Sequence, residues 1–423
     1  MRYNCYQYIR KLNYSSVYCK AIFFLNIIIL TLSACDNSSE SNDGYAKVDT
    51  FTIPKNAVPI INNGYVLVQG KLDSVMGSFL IDMGSNWFCV DSVFQSKNNS
   101  KHYNYYNAKI SGIGNSFQNI TVIKDSVSFS VGDLSYRTSE ISVIKMKPIG
   151  GDLIDGLIGT DFFGKRVLEI NYVKEYIIVH EDIDSIDISG YKVLSMKNID
   201  GFLCVPLAIK INDSVSVEGY FIIDTGMPMS TITSSVAEKK NFGKTIGRKV
   251  RYYTKYGGIG GESSGYDFIA DSLQISDYCF KDVVMSFSLD KSGILAKDKY
   301  LGIIGNDILE HFDVLFDFRN SNLYLKSNEN FNSPFILDKF GFFYVDRCKT
   351  KGGWIVTGLF ENTAAERQGL KIEDKIISIN GVPVEKTTYK DQKYIFPKLD
   401  KVKLVIKRAE GIKNIVLKLD PLL

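Results

Sequence analysis

Apolar residues along most of this chain fall in short runs separated by Gly, Asp, Asn and Ser rather than at helical spacing. Residues 58–82, VPIINNGYVLVQGKLDSVMGSFLID, and residues 203–224, LCVPLAIKINDSVSVEGYFIID, both show it. Short apolar runs bounded by turn formers predict strands joined as hairpins. Helical patterns are scarce before residue 330; the best are GTDFFG from Gly159 and GNDILEHF from Gly305. In each, Thr160 or Asn306 stands where a capping side chain is expected, and Asp161 or Asp307 follows at the positive end of a short helix.

The pattern also repeats. GSFLIDMGSNWFCVD, from Gly77, aligns with GYFIIDTGMPMSTIT, from Gly219, and sets Asp82 against Asp224, 142 positions further on. DGLIGTDFFG and LGIIGNDILE form a second pair, with Gly159 and Gly305 146 positions apart. Between these marks each half carries a Gly-rich turn, SGIGNS at residues 111–116 and YGGIGGESSG at residues 256–265. Three features in one order at similar spacing indicate a duplication. We therefore expect two pseudo-symmetric, mostly β lobes, residues 52–182 and 183–328.

Composition sharpens this picture in three places. The 25 Tyr and 26 Phe favour strands over helices. The formal charge is +3, but four of the 50 basic residues and none of the 47 acidic ones precede residue 36, so the rest is close to neutral. No basic face for nucleic acid is expected. Those four, Arg2, Arg10, Lys11 and Lys20, precede the apolar run AIFFLNIIILTLSA, which is too short for an ordinary membrane span. Residues 1–35 read as an export signal, and residues 36–51, beginning DNSSESNDG, as a flexible tether. Of the seven Cys, Cys89, Cys204, Cys279 and Cys348 are scattered without metal-ligand spacing and read as small buried apolar residues, and His102, His180 and His311 lie far apart. No metal site or cofactor is expected, and the Gly-rich turns lack a dinucleotide fingerprint.

An Asp after two aliphatic residues and before a Gly suggests a strand ending in a tight turn. Two lobes related by an approximate two-fold axis would bring Asp82 and Asp224 face to face. Two carboxyls at close range share one proton, so one can accept a proton from water while the other polarises a carbonyl. The plain alternative is a pair of turn aspartates.

Asp224-Thr225-Gly226 resembles the aspartic protease signature. IIGNDIL resembles the aliphatic-aliphatic-Gly motif that packs beneath that turn in the family, and GGIGG resembles the flap tip of retroviral proteases. The resemblance covers roughly residues 52–325 as two retropepsin-like lobes of the acid protease fold. It implies Asp82 and Asp224 as the catalytic pair, Gly84, Ser85, Thr225 and Gly226 as their support, and Tyr256, Gly257, Gly258, Ile259, Gly260 and Gly261 as the main flap. In the family the Thr of the signature reaches across to the partner loop. Met83 stands there in the first lobe and has no hydroxyl, so the brace is expected from Thr225 alone. A small hydroxyl residue after the Gly, here Ser85, is expected to support its own Asp. Leu32-Ser33-Ala34-Cys35 resembles the bacterial lipobox, which implies lipidation of Cys35 and a lipid anchor in the cell envelope.

After KSNENFNSP the pattern changes. WIVTGLFENTAAERQGLKIEDKIISINGVPV resembles a bacterial-type PDZ domain, placed over residues 335–423 as an α+β module. The resemblance implies Phe340, Gly341, Phe342 and Phe343 as a loop that takes a peptide's terminal carboxylate. The expected protein is an exported, lipid-anchored aspartic endopeptidase whose partners are peptides and a membrane, not nucleic acid or nucleotide. The alternative is a non-catalytic peptide-binding lipoprotein with a degenerate protease groove, for which Met83 speaks.

Overall fold

The computed structural model describes residues 53–97, 102–336 and 339–423. The export signal, most of the tether and Cys35 lie outside the described residues. The described chain is mostly β.

In the first half, β1 (Val66–Leu72) and β2 (Val75–Ile81) form a hairpin through Asp73, which takes a left-handed backbone with φ 49°. The buried face of β1 carries Val66, Val68 and Leu72, as the alternation predicts. β3 (Phe88–Asp91) follows, then a long hairpin of β4 (Tyr105–Ser111) and β5 (Phe117–Ile123), and then β6 (Ile141–Ile144). β7 (Gly156–Ile158) inserts between β2 and β3, parallel to the first and antiparallel to the second. β8 (Val167–Asn171) closes the half.

The second half repeats these pairings. β9 (Phe202–Asn212) and β10 (Val215–Ile223) form the hairpin, and β11 (Thr231–Ile232) matches β3. β12 (Lys249–Gly258) and β13 (Gly261–Ile275) make the long hairpin, and β14 (Tyr278–Ser288) follows. β15 (Gly302–Ile304) lies between β10 and β11, again parallel to one and antiparallel to the other. β16 (Phe312–Asp317) pairs antiparallel with β8, Val167 opposite Asp317 and Asn171 opposite Asp313. Corresponding strands therefore meet each other across the junction of the halves, and one apolar core containing Phe79, Met83, Ile170, Phe221 and Val314 runs through both.

The last module has β17 (Phe342–Asp346), β18 (Trp354–Phe360), β19 (Lys375–Ile379), β20 (Lys401–Arg408) and β21 (Gly411–Lys418). Thr363 caps the short helix Ala364–Arg367 through its hydroxyl, and Gly369 follows at φ 76°. Trp354, Leu370, Ile376, Phe396 and Leu404 fill its own core. This module is not merely tethered. β12 pairs with β18, Thr254 opposite Gly358, so one sheet runs from the second half into it.

Two expectations are corrected here. Neither Thr160 nor Asn306 caps a helix: the segments are single turns, Thr160–Phe162 and Asn306–Leu309, entered from Gly159 and Gly305 with no side-chain cap. Among the four described cysteines, Cys89 and Cys204 are buried, but Cys279 is exposed and Cys348 half-buried; all four are free thiols.

Candidate active site

β2 and β10 end at equivalent points. Asp82 N–H donates to Ile158 O and Asp224 N–H to Ile304 O, each at 2.9 Å, so both aspartates sit where a strand leaves its parallel neighbour. Each following loop turns back tightly over the other. A Cβ placed on Gly226 would lie 2.7 Å from the Asp82 carboxyl carbon, and one on Gly84 would collide with the Asp224 carboxyl. Only glycine lets the two carboxyls approach across this junction. Beneath each loop, Gly159 and Gly305 are equally constrained, their absent side chains replaced by the carbonyls of Trp87 and Met227 at 2.5 Å.

The brace between the loops is one-sided. Thr225, fully buried, donates its hydroxyl to Ile81 O at 2.7 Å and accepts the Met83 N–H at 3.1 Å. The Met83 side chain turns into the apolar core, 1% exposed. Ser85 differs from expectation. Its hydroxyl accepts the Trp87 N–H at 3.2 Å, while Asp82 Oδ1 is buried without a hydrogen-bond partner. Ser85 shapes the turn rather than holding the carboxyl.

The two carboxyls are electrostatically unequal. Burial pushes Asp82 well above the usual carboxylate range, and the charge and hydrogen bond of Asp224 push it further. Asp224, 9% exposed, is also raised by burial, but its hydrogen bonds with Asp82 and the N–H groups of Gly226 and Gly84 hold it back. Gly226 N–H reaches Asp224 Oδ1 at 2.7 Å. Both carboxyls are thus raised, Asp82 further than Asp224, as two buried carboxyls at close range share a proton.

Asn306 and Asp307, read in the sequence as helix-start residues, instead fix the Asp224 loop. Asn306 donates to Thr225 O at 2.7 Å and Gly64 O at 3.0 Å, and accepts the Tyr172 hydroxyl at 2.8 Å. Asp307 accepts the Ser230 N–H at 2.9 Å and hydroxyl at 2.6 Å, and burial raises its carboxyl to about 7. These are loop ties, not helix-end charges; Asp161, at the matching place, is exposed. The signal in the sequence was the polar residue after Gly305.

The two Gly-rich turns meet above the pair. Gly260 N–H donates to Ile113 O at 2.7 Å, and Gly260 O accepts Ser116 N–H at 2.8 Å and its hydroxyl at 2.7 Å. Gly257, Gly258 and Ile259 line the same cavity of about 330 Å³ as Asp82, Gly84, Ser85, Asp224 and Gly226. Gly261 continues the tip at φ 82°. The stem below is fixed: Tyr256 donates its hydroxyl to Glu373 of the last module at 2.8 Å.

In the last module Gly341, at φ 76°, gives its carbonyl to Phe360 N–H at 3.0 Å. Phe342 is buried in the module core, whereas Phe343 faces a second cavity and packs edge-on to Tyr252. Phe340 lies against Phe342 and Phe396.

No curated protein matches the chain. One family does match part of it. Residues 335–407 match the PDZ domain, the region of β17 to β20, with β21 extending the same sheet beyond the match. Residues 335–407 of this chain form a PDZ domain, a class of module that binds peptides or proteins.

Proposed function

We propose that this protein is an aspartic-type endopeptidase with retropepsin-like lobes, hydrolysing peptide bonds at Asp82 and Asp224. The observation that carries this reading is the buried pair itself: two strand-end carboxyls on repeated elements, opposed across glycines and roofed by two interlocked hairpin tips. Asp224, held as the anion, takes a proton from a water molecule whose oxygen attacks the peptide carbonyl carbon. Asp82 delivers its proton to the carbonyl oxygen. The tetrahedral intermediate then collapses: Asp224 gives the proton it took to the amide nitrogen as the C–N bond breaks, and Asp82 takes back a hydroxyl proton as the carbonyl re-forms, so the amine leaves and the pair again holds one proton. No cofactor is called for.

A peptide-library digest with the purified chain tests the reading. Asp224→Asn and Asp82→Asn are each expected to lose at least about a thousandfold in kcat/KM, the scale of losing an essential acid or base. Cleavage by Asp82→Asn equal to the parent, with none by Asp224→Asn, would show that the first half is not catalytic; no cleavage by the parent would leave the second reading, a peptide-binding protein with a degenerate groove, which the missing hydroxyl at Met83 favours.

The proposal includes export and lipid anchoring at Cys35, supported by Leu32-Ser33-Ala34-Cys35 and the polar residues after it. Cys35→Ser is expected to leave the precursor unprocessed. An unmodified mature amino terminus by mass spectrometry in the parent refutes the anchor.

A further inference from the structure

The PDZ domain and the Asp pair do not address separate spaces. β17 pairs with β18 along one edge; among the described residues its other edge has no strand partner. A cavity of about 460 Å³ runs beside it, lined by Phe343, Tyr344, Val345 and Asp346 in unbroken succession. Side chains of a strand alternate between faces, so a cavity touching four successive residues lies along the edge and not over one face. Its far wall holds Thr387, Tyr389 and Gln392, and Tyr344 donates its hydroxyl to Gln392 at 2.7 Å across the floor.

This cavity adjoins the one at the Asp pair, and the two share lining residues. Tyr65, Ile113, Ile149, Gly150, Met227 and Gly257 line both. The spacing between the two is also fixed. Asp152 of the first half and Arg347, directly after β17, form a buried ion pair at 2.9 Å, and Lys393 meets Glu310 of the second half at 2.6 Å. Together with the pairing of β12 and β18, these contacts hold the edge of β17 at a set distance from Asp82 and Asp224.

We propose that one polypeptide occupies both cavities: its C-terminal residues add to the edge of β17, and the bond to be cut lies further upstream at the Asp pair. This rests on the proteolytic reading above. A strand added antiparallel to β17 places its terminal carboxylate at Phe340–Gly341 and sends its upstream residues past Asp346. There Gly151 packs against the Asp346 backbone, and Ile149 and Gly150 beside it line the wall of the Asp cavity. Gly151 covers Asp346, the last of the five residues of β17, so four remain for pairing and the cut falls beyond the fourth residue from the substrate's end. The aromatic lining, Tyr252, Phe343 and Tyr389, suits an apolar C-terminal segment. The enzyme then measures from a free C-terminus instead of reading sequence alone.

The test uses the full ectodomain and a nested set of peptides that share one cleavable core and carry progressively longer C-terminal tails, each as free acid and as amide. The expected result is a cut at constant distance from the terminus, with KM raised about tenfold by amidation, the loss of one charge-assisted contact. Cleavage at one internal site whatever the tail length, with acid and amide equal, overturns the inference while the protease reading stands. Cleavage by the parent that is unchanged in Asp224→Asn overturns that reading and the inference with it. No variant has to fold for the first comparison, because only the substrate changes.

Discussion

Thr225 carries more of the site than its size suggests. Its one hydroxyl joins Ile81 O to Met83 N–H across the junction of the halves, and no second hydroxyl duplicates it, because Met83 is packed into the core. Replacing Thr225 by Val keeps the shape and strands two buried backbone groups. Each unsatisfied group costs about 1–3 kcal/mol. Thr225→Val is expected to lower the thermal midpoint and to weaken cleavage, both readable by melting and by the same peptide assay. Unchanged stability shows that the loops are held by Asn306 and the glycines alone. The one-sided brace was legible in the sequence as Thr225 against Met83. The role of Asn306 was not, because the polar residue after Gly305 satisfies local capping rules equally well. Its partners, Gly64 and Thr225, lie far away in the chain, where no short-range pattern reaches.

At the scale of elements, the two long hairpins are not equivalent. β12 and β13 are tied to the PDZ domain along the stem, through β18 and through Tyr256 and Glu373, whereas the tip of the β4–β5 hairpin is fixed by its contacts with residues 260–262 and 291–294. Gly114, at φ 111°, lies where a Cβ would meet the Gly260 carbonyl oxygen at 2.6 Å. Gly114→Ala is therefore expected to part the tips and reduce kcat/KM at least about tenfold, the scale set by small misplacements in a closed site. The midpoint should change little, since the tip adds nothing to the core. A large loss of stability with normal cleavage refutes the closure role. Both Gly-rich turns could be found in the sequence as breaks between strands. Their contact could not, and neither could the pairing of β12 with β18, which joins strands about a hundred residues apart and leaves no local trace.

The whole molecule sets the chemistry of the pair, because neither half buries its aspartate alone. The repeat made both aspartates visible in the sequence; their unequal protonation comes from the assembled surroundings. Burial raises Asp82 well above the ordinary carboxylate range and Asp224 less, because hydrogen bonds with Asp82 and the N–H groups of Gly226 and Gly84 hold Asp224 back. Cleavage is expected to follow a bell in pH, falling on the acid side as Asp224 is protonated and on the basic side as Asp82 ionises. Stability has one sign throughout. A carboxyl raised in the folded state contributes fully below the ordinary carboxylate range, and its contribution is lost as pH climbs through the raised value. The parent should therefore lose stability from mildly acidic pH upward. Asp82→Asn removes the ionisation that burial opposes and leaves Asp224 as the pair's one titrating group, with Asp307 adding its own decline in parent and variant alike. It is expected to flatten that decline and to raise the midpoint by a few degrees at neutral pH, while abolishing cleavage. Melting curves across pH for parent and variant measure this. A variant that melts below the parent at neutral pH shows that the proton shared with Asp224 stabilises the fold more than burial of Asp82 opposes it.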